Sequence, residues 1–215
     1  MTPLPPAVPS EAVPAHAAPF AIAELRTCLV RPQRMLDVVL VERGRLVASV
    51  LQPASAIALA AALLVCAVAF AVPFGLVEGV RRGGHVAMLF LGSVLLCFPS
   101  LQVFGSYLGV RLSIAQNLAI ALLIPSAAAL FTFGFFPIHW FLLYTMSADA
   151  SLTTSGVRIA LLAVSLLLGL SHCNRCLFLD PNLKAFRSSW PLWIAWQALL
   201  LFITWRMARA LDMLT

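Results

Sequence analysis

Residues 56–72 read AIALAAALLVCAVAFAV, a run without one polar side chain. Pro53, three positions upstream, suits the first turn of a helix, where its missing N–H is not needed. Extended to 54–76, the segment meets the roughly 20 apolar residues that a hydrocarbon core about 30 Å thick requires. It places the chain among transmembrane helical proteins. The composition of all 215 residues agrees: 62% are hydrophobic and 10% charged, against about 45–50% and 25% in a soluble domain. A compact water-soluble enzyme is thereby excluded.

Working outward, Glu78, Arg81, Arg82 and the pair Gly83-Gly84 read as a short loop leading to a second span at 85–108. That span carries Ser93, Pro99, Ser100, Gln102 and Ser106 and is the most polar. Ser113 and Gln116 form a capping-box pattern that opens a third span at 114–136, with Pro125 near its middle. Residues 137–146, with His139, Trp140, Phe141 and Tyr144, are too few to cross and carry aromatic side chains that favour the headgroup level. A fourth span is expected at 157–179 and a fifth at 190–209. The expected fold is therefore all-α, a polytopic bundle of about five spans over 53–215, without an internal repeat of the kind that marks inverted transporter halves.

Upstream, six prolines fall within residues 1–19 (Pro3, Pro5, Pro6, Pro9, Pro14, Pro19), so this part reads as a disordered Pro/Ala-rich tail. No basic n-region with a following apolar h-region occurs in the first 30 residues, so no cleavable signal peptide is expected. Residues 20–52 have helical periodicity. Ile22, Leu25 and Leu29 share one face, Pro32 ends that element, and Leu36, Val39, Leu40, Val47, Val50 and Leu51 then oppose Arg34, Asp37 and Arg45. Such amphipathic helices either lie in the membrane interface or cap the bundle.

The net charge is +6, and Lys184 is the only lysine beside thirteen arginines. Scattered between apolar blocks, these residues make no basic stripe for nucleic acid. Counted by side of the membrane, Arg26, Arg31, Arg34, Arg43, Arg45, Arg111, Arg175, Lys184 and Arg187 oppose Arg81, Arg82, Arg158, Arg206 and Arg209. The excess predicts a cytoplasmic N-terminus and an external C-terminus in a bacterial inner membrane.

Two constellations are candidates for chemistry. In Ser171-His172-Cys173-Asn174-Arg175-Cys176, Cys173 and Cys176 share a helix face, which fits a redox pair or, with His172, half of a zinc site. The same residues also read as small, apolar-compatible side chains at a helix end. The second comprises Pro99, Ser100, Gln102, Ser106, Arg111, Gln116 and Asn117. It fits either a kinked hairpin that binds a lipid or partner, or hydrogen-bonded packing between helices. No catalytic residue is identified, no complete metal site is seen and no cofactor is expected. No acidic residue lies at mid-span, which disfavours proton-coupled transport.

The block 97–116, with its Phe-Pro-Ser-Leu, its Val-Phe, a short turn and Arg-Leu-Ser with a following Gln, resembles a family of bacterial polytopic membrane proteins that are similar in plan to Yip1-type five-helix proteins. Arg31-Pro32 and the helix around 35–46 fit the same likeness, which spans about 29–141. The resemblance implies five spans, a cytoplasmic N-terminus and a role in membrane trafficking or shaping. It defines no catalytic residue. The expected function is thus a non-enzymatic scaffold or accessory subunit, whose partners are the lipid bilayer and a membrane protein or second copy. The alternatives are a channel or transporter subunit using the second and third spans, and a membrane thiol-redox protein using Cys173 and Cys176.

Overall fold

In a computed structural model of the chain, the described residues are 18–107, 112–145, 151–179 and 190–213. Eight α-helices occupy almost all of them, without a strand among the described residues. Three are short: α1 (Ile22–Val30), α2 (Pro32–Leu36), which runs on into a π-helical turn (Asp37–Val41), and α3 (Arg43–Leu51). Five are long: α4 (Pro53–Leu76), α5 (Val80–Tyr107), α6 (Ile114–Thr145), α7 (Ser151–Leu179) and α8 (Trp190–Ala210). Four of these, α4 to α7, are long and apolar enough to cross a membrane. Large apolar side chains such as Ile57, Leu95, Leu96 and Phe202 are exposed around the outside, as lipid contact requires and water disfavours. The protein is a multi-pass membrane helix bundle.

Helix α6 is the axis. Every residue from 119 to 130 is buried, and five of them are alanines that let neighbouring backbones approach. On one side Ser126 Oγ donates to Leu63 O of α4, 2.8 Å away. On another, Gly169 of α7 sits where a Cβ would lie 2.8 Å from Ile124 O and 2.9 Å from Ala128 N. Helix α5 packs on α4 and α6, and α8 packs mainly on α5, with Met207 Cε within 2.7 Å of where a Gly92 Cβ would stand.

Three boundaries differ from the sequence reading. Arg81, Arg82, Gly83 and Gly84 belong to α5 and not to a loop; residues 77–79 alone turn the chain, with Gly79 at φ 123°. Gly75 and Gly83 are small because α4 and α5 touch here: a Cβ on Gly75 would lie 2.5 Å from Arg82 O. Residues 137–145 are no separate segment. Helix α6 continues through both Pro125 and Pro137, since a proline removes only one helical bond and packing neighbours can compensate for it. In the N-terminal region the π turn and the break at Glu42 shift the helical phase. Met35 and Val38 are therefore buried, while Leu36 is exposed.

The N-terminal helices bury part of their apolar surface within the protein, whereas Ile22 and Val30 of α1 stay exposed. Leu25, Val39, Leu46 and Val50 join the same core as α4 and α6. Arg45 ties the region together, reaching Glu24 at 2.7 Å and Glu42 at 2.8 Å while lying over the Phe20 ring. The proposed tail at 1–19 lies outside the described residues up to position 17.

The tight α6–α7 crossing makes a direct prediction. Gly169→Val forces the helices apart and lowers stability by about 1–3 kcal/mol. Gly134→Ala, with open space around the new Cβ, leaves it within about 0.5 kcal/mol. Thermal unfolding of the two variants in one detergent checks the contrast.

Candidate functional site

The long helices alternate in direction, so residues far apart in sequence meet at two ends of the bundle. At one end stand the α4–α5 turn, the last part of α6, the start of α7 and the C-terminal turn of α8. The Glu78 carboxylate is the focus there. It accepts a hydrogen bond from His139 Nε2 at 3.0 Å and a short one from Arg158 Nη1, with Arg82 Nε 3.8 Å away. A carboxylate can only accept, so His139 carries its proton on Nε2. The imidazole stacks on Phe74 at 4.4 Å between centroids, which fixes its plane.

Arg158 is itself buried, and its second terminal nitrogen donates to Met213 O at 2.7 Å. Arg82 donates to Asp212 O at 3.0 Å. These carbonyls end α8 in a Schellman turn, where Asp212 takes φ 50° and Met213 N–H reaches back to Ala208 O. Two arginines thus meet the negative end of a helix dipole. One acid and two guanidinium groups fasten four helices.

Burial by itself raises the Glu78 pKa, but the His139 hydrogen bond and the charge and hydrogen bond of Arg158 outweigh it, and the carboxyl is held below its ordinary range. None of these residues stood among the sequence candidates. Their shared depth is readable once the helices are known to alternate, because Glu78, His139 and Arg158 all flank the same side.

At the other end the sequence candidates meet. Asn117 Nδ2 donates to Gln102 Oε1 at 2.6 Å, joining α6 to α5. Gln116 caps its own helix, accepting from Ser113 N–H at 2.8 Å, and its amide donates to Leu51 O at 2.7 Å. Ser100 and Ser106 return their hydroxyls to Cys97 O and Gln102 O within α5. Pro99 is exposed on α5, and Cys97 O, two residues before it, also accepts from Trp196 Nε1 of α8. Arg111 lies outside the described residues.

His172 Nε2 is 2.7 Å from Val39 O in the π turn. That carbonyl fixes the proton on Nε2, so the Cys176 sulfur 3.6 Å away faces an N–H and not a basic lone pair. The arrangement neither draws a proton from Cys176 nor leaves Nε2 for a metal. Cys173 is fully buried, and none of the five cysteines is in a disulfide. Outside the spans, burial pushes the Cys28 thiol up, and Arg34 offsets this only in part. Among the described residues no group of three or more His, Cys, Asp or Glu side chains is placed to hold a metal ion.

Helices α7 and α8 touch at their two ends and part between them. At one end Asn174 Oδ1 accepts from Trp193 Nε1 at 2.6 Å and from Gln197 Nε2; at the other Arg158 holds Met213 O. Between these ties lies an apolar cavity of about 240 Å³, closed at the back by Leu89 and Phe90 of α5. No protein-family model, curated protein or solved structure matches the chain.

Two outcomes follow. Glu78→Gln leaves Arg158 buried without its counter-ion and costs about 3 kcal/mol at neutral pH. Because the folded carboxyl is held low, the stabilisation is complete above the unfolded value of about 4.3 and disappears as pH falls through the folded one. Melting temperature against pH therefore declines in the acid range for the wild type and less steeply for Glu78→Gln. Separately, a hydrophilic maleimide labels the five cysteines of the folded protein slowly and those of the denatured protein fast, as counted by mass spectrometry.

Proposed function

We propose that the protein is a non-enzymatic five-span scaffold or accessory subunit of a membrane complex. The observation carrying this reading is that amide side chains within the bundle are consumed in joining helix to helix, as in the Gln102–Asn117 and Asn174–Gln197 pairs, while hydroxyls such as those of Ser100 and Thr204 bond within their own helix. Such pairs specify packing and leave no chain of polar groups for an ion or substrate to follow. The buried thiols and the committed His172 likewise supply no reactive group.

The fifth span in this reading is α8. Its 21 residues are long enough, but Gln197, Arg206 and four tryptophans make it less apolar than the other four. Its packing on α5 and the clamp on its last turn support a crossing beside them. The positive charge near α1 to α3 supports a cytoplasmic position for that end and an external one for the Glu78 cluster. The partial likeness to Yip1-type proteins supports the same plan.

A reporter fused at Thr215 is expected to give an external signal, and a cytoplasmic one removes the fifth span. The full chain, purified in mild detergent, is expected to carry one stoichiometric membrane partner or a second copy. A lone monomer whose proteoliposomes pass a solute, with flux lost on Gln102→Leu, replaces the scaffold with a transport subunit.

A further inference from the structure

The cavity between α7 and α8 has a chemical gradient along its length. Its floor and walls in the middle of the helices, Leu162, Leu166, Leu201 and Phe90 among them, are almost wholly apolar. The single hydroxyl there, on Thr204, is spent on Leu200 O at 2.8 Å. Water gains nothing in such a space, which fits hydrocarbon. Leu167 and Leu201 also line a second, open recess, so the two lie side by side. That recess lies toward the α1–α3 end and is bordered by Ser171, Asn174, Arg175 and Gln197.

Arg175 sets the character of this end. Its neighbours Asn174 and Gln197 satisfy each other and Trp193. Arg175 itself is exposed, and among the described residues no acid pairs with it. Two helical turns, roughly 12 Å at 1.5 Å per residue, separate it from Leu167 in the cavity wall. An unpaired guanidinium at one end of an apolar groove, at the depth where a helix leaves the bilayer, is complementary to an amphiphile with an anionic head.

We propose that the α7–α8 groove binds one anionic phospholipid, with an acyl chain in the cavity and its phosphate on Arg175. Arginine suits this contact because its planar fork gives paired hydrogen bonds to phosphate oxygens. The Asn174–Gln197 pair ties the two helices at the head end, beside Arg175, and the Arg158–Met213 bond closes the far end. The site rests on α8 lying in the bilayer beside α7, and it does not require a protein partner.

The test uses the full chain in nanodiscs holding equal amounts of phosphatidylglycerol and phosphatidylcholine with the same acyl chains. The lipids that remain bound after release are counted by native mass spectrometry. The wild type is expected to retain phosphatidylglycerol about fivefold over phosphatidylcholine, the weight of one arginine beside an anionic headgroup. Arg175→Gln brings the ratio to about one, and Ala163→Phe, which fills the cavity, expels both lipids. Arg206→Gln, an exposed arginine at the other end of α8, keeps the wild-type ratio. Equal retention of the two lipids by the wild type overturns the site, as does an unchanged ratio in Arg175→Gln. The reading reports on the groove alone, so it stands apart from whether a partner protein co-purifies or a fusion at Thr215 reports outside.

Discussion

Taking a carboxylate out of water costs several kcal/mol unless cations and donors replace the lost solvent, and Glu78 meets that demand with groups drawn from three other helices. Arg82 comes from α5, His139 from α6 and Arg158 from α7. The two arginines then reach the carbonyls that end α8. Helices with little direct contact are thereby held in one register. The arrangement also explains how an arginine as deeply buried as Arg158 is tolerated beside lipid-facing leucines. Its charge is neutralised on one side and hydrogen-bonded to a helix end on the other.

At the opposite end the side-chain bonds between the long helices come from neutral groups. Gln102 pairs with Asn117, Asn174 with Gln197 and Gln116 with the backbone, and His172 joins α7 to the π turn through a carbonyl. Amide pairs inside a bundle are each worth about 0.6 kcal/mol on average, less than a buried ion pair loses when broken. The bundle is therefore fastened unevenly, firmly around Glu78 and more loosely where the N-terminal helices sit. Between the two, α6 supplies close packing and the Ser126 hydrogen bond to Leu63 O: its alanines and Ser126 bring α4 and α7 to backbone distance.

Four spans are legible because a membrane demands long apolar runs, and 54–76 and 157–179 end within a few residues of α4 and α7; the expected segment 190–209 coincides with the helix α8. The errors have physical causes. Gly83-Gly84 and Pro137 read as breaks by rules that hold in water, whereas Gly83 inside α5 serves close packing against α4 and α6 runs through its prolines. The phase of the N-terminal helices depended on a π turn, which inserts a residue that no periodic pattern anticipates. Gln102, Gln116 and Asn117 were visible in the sequence as amides within apolar stretches, where each must find a partner. The Glu78 cluster was not, because its members are 61 and 80 positions apart and each alone looks like an ordinary flanking residue.

That separation has a consequence for how the protein is made. At about 5–20 residues per second, the 80 positions between Glu78 and Arg158 correspond to roughly 4–16 seconds of synthesis. During that interval the newborn α4–α5 hairpin displays a carboxylate whose main counter-ion does not yet exist. Water and headgroups must solvate it, so the turn at 77–79 stays at the membrane surface until α7 arrives. The last fastening waits longer still, for Met213 lies another 55 positions on. Assembly thus closes in chain order around a charge laid down early.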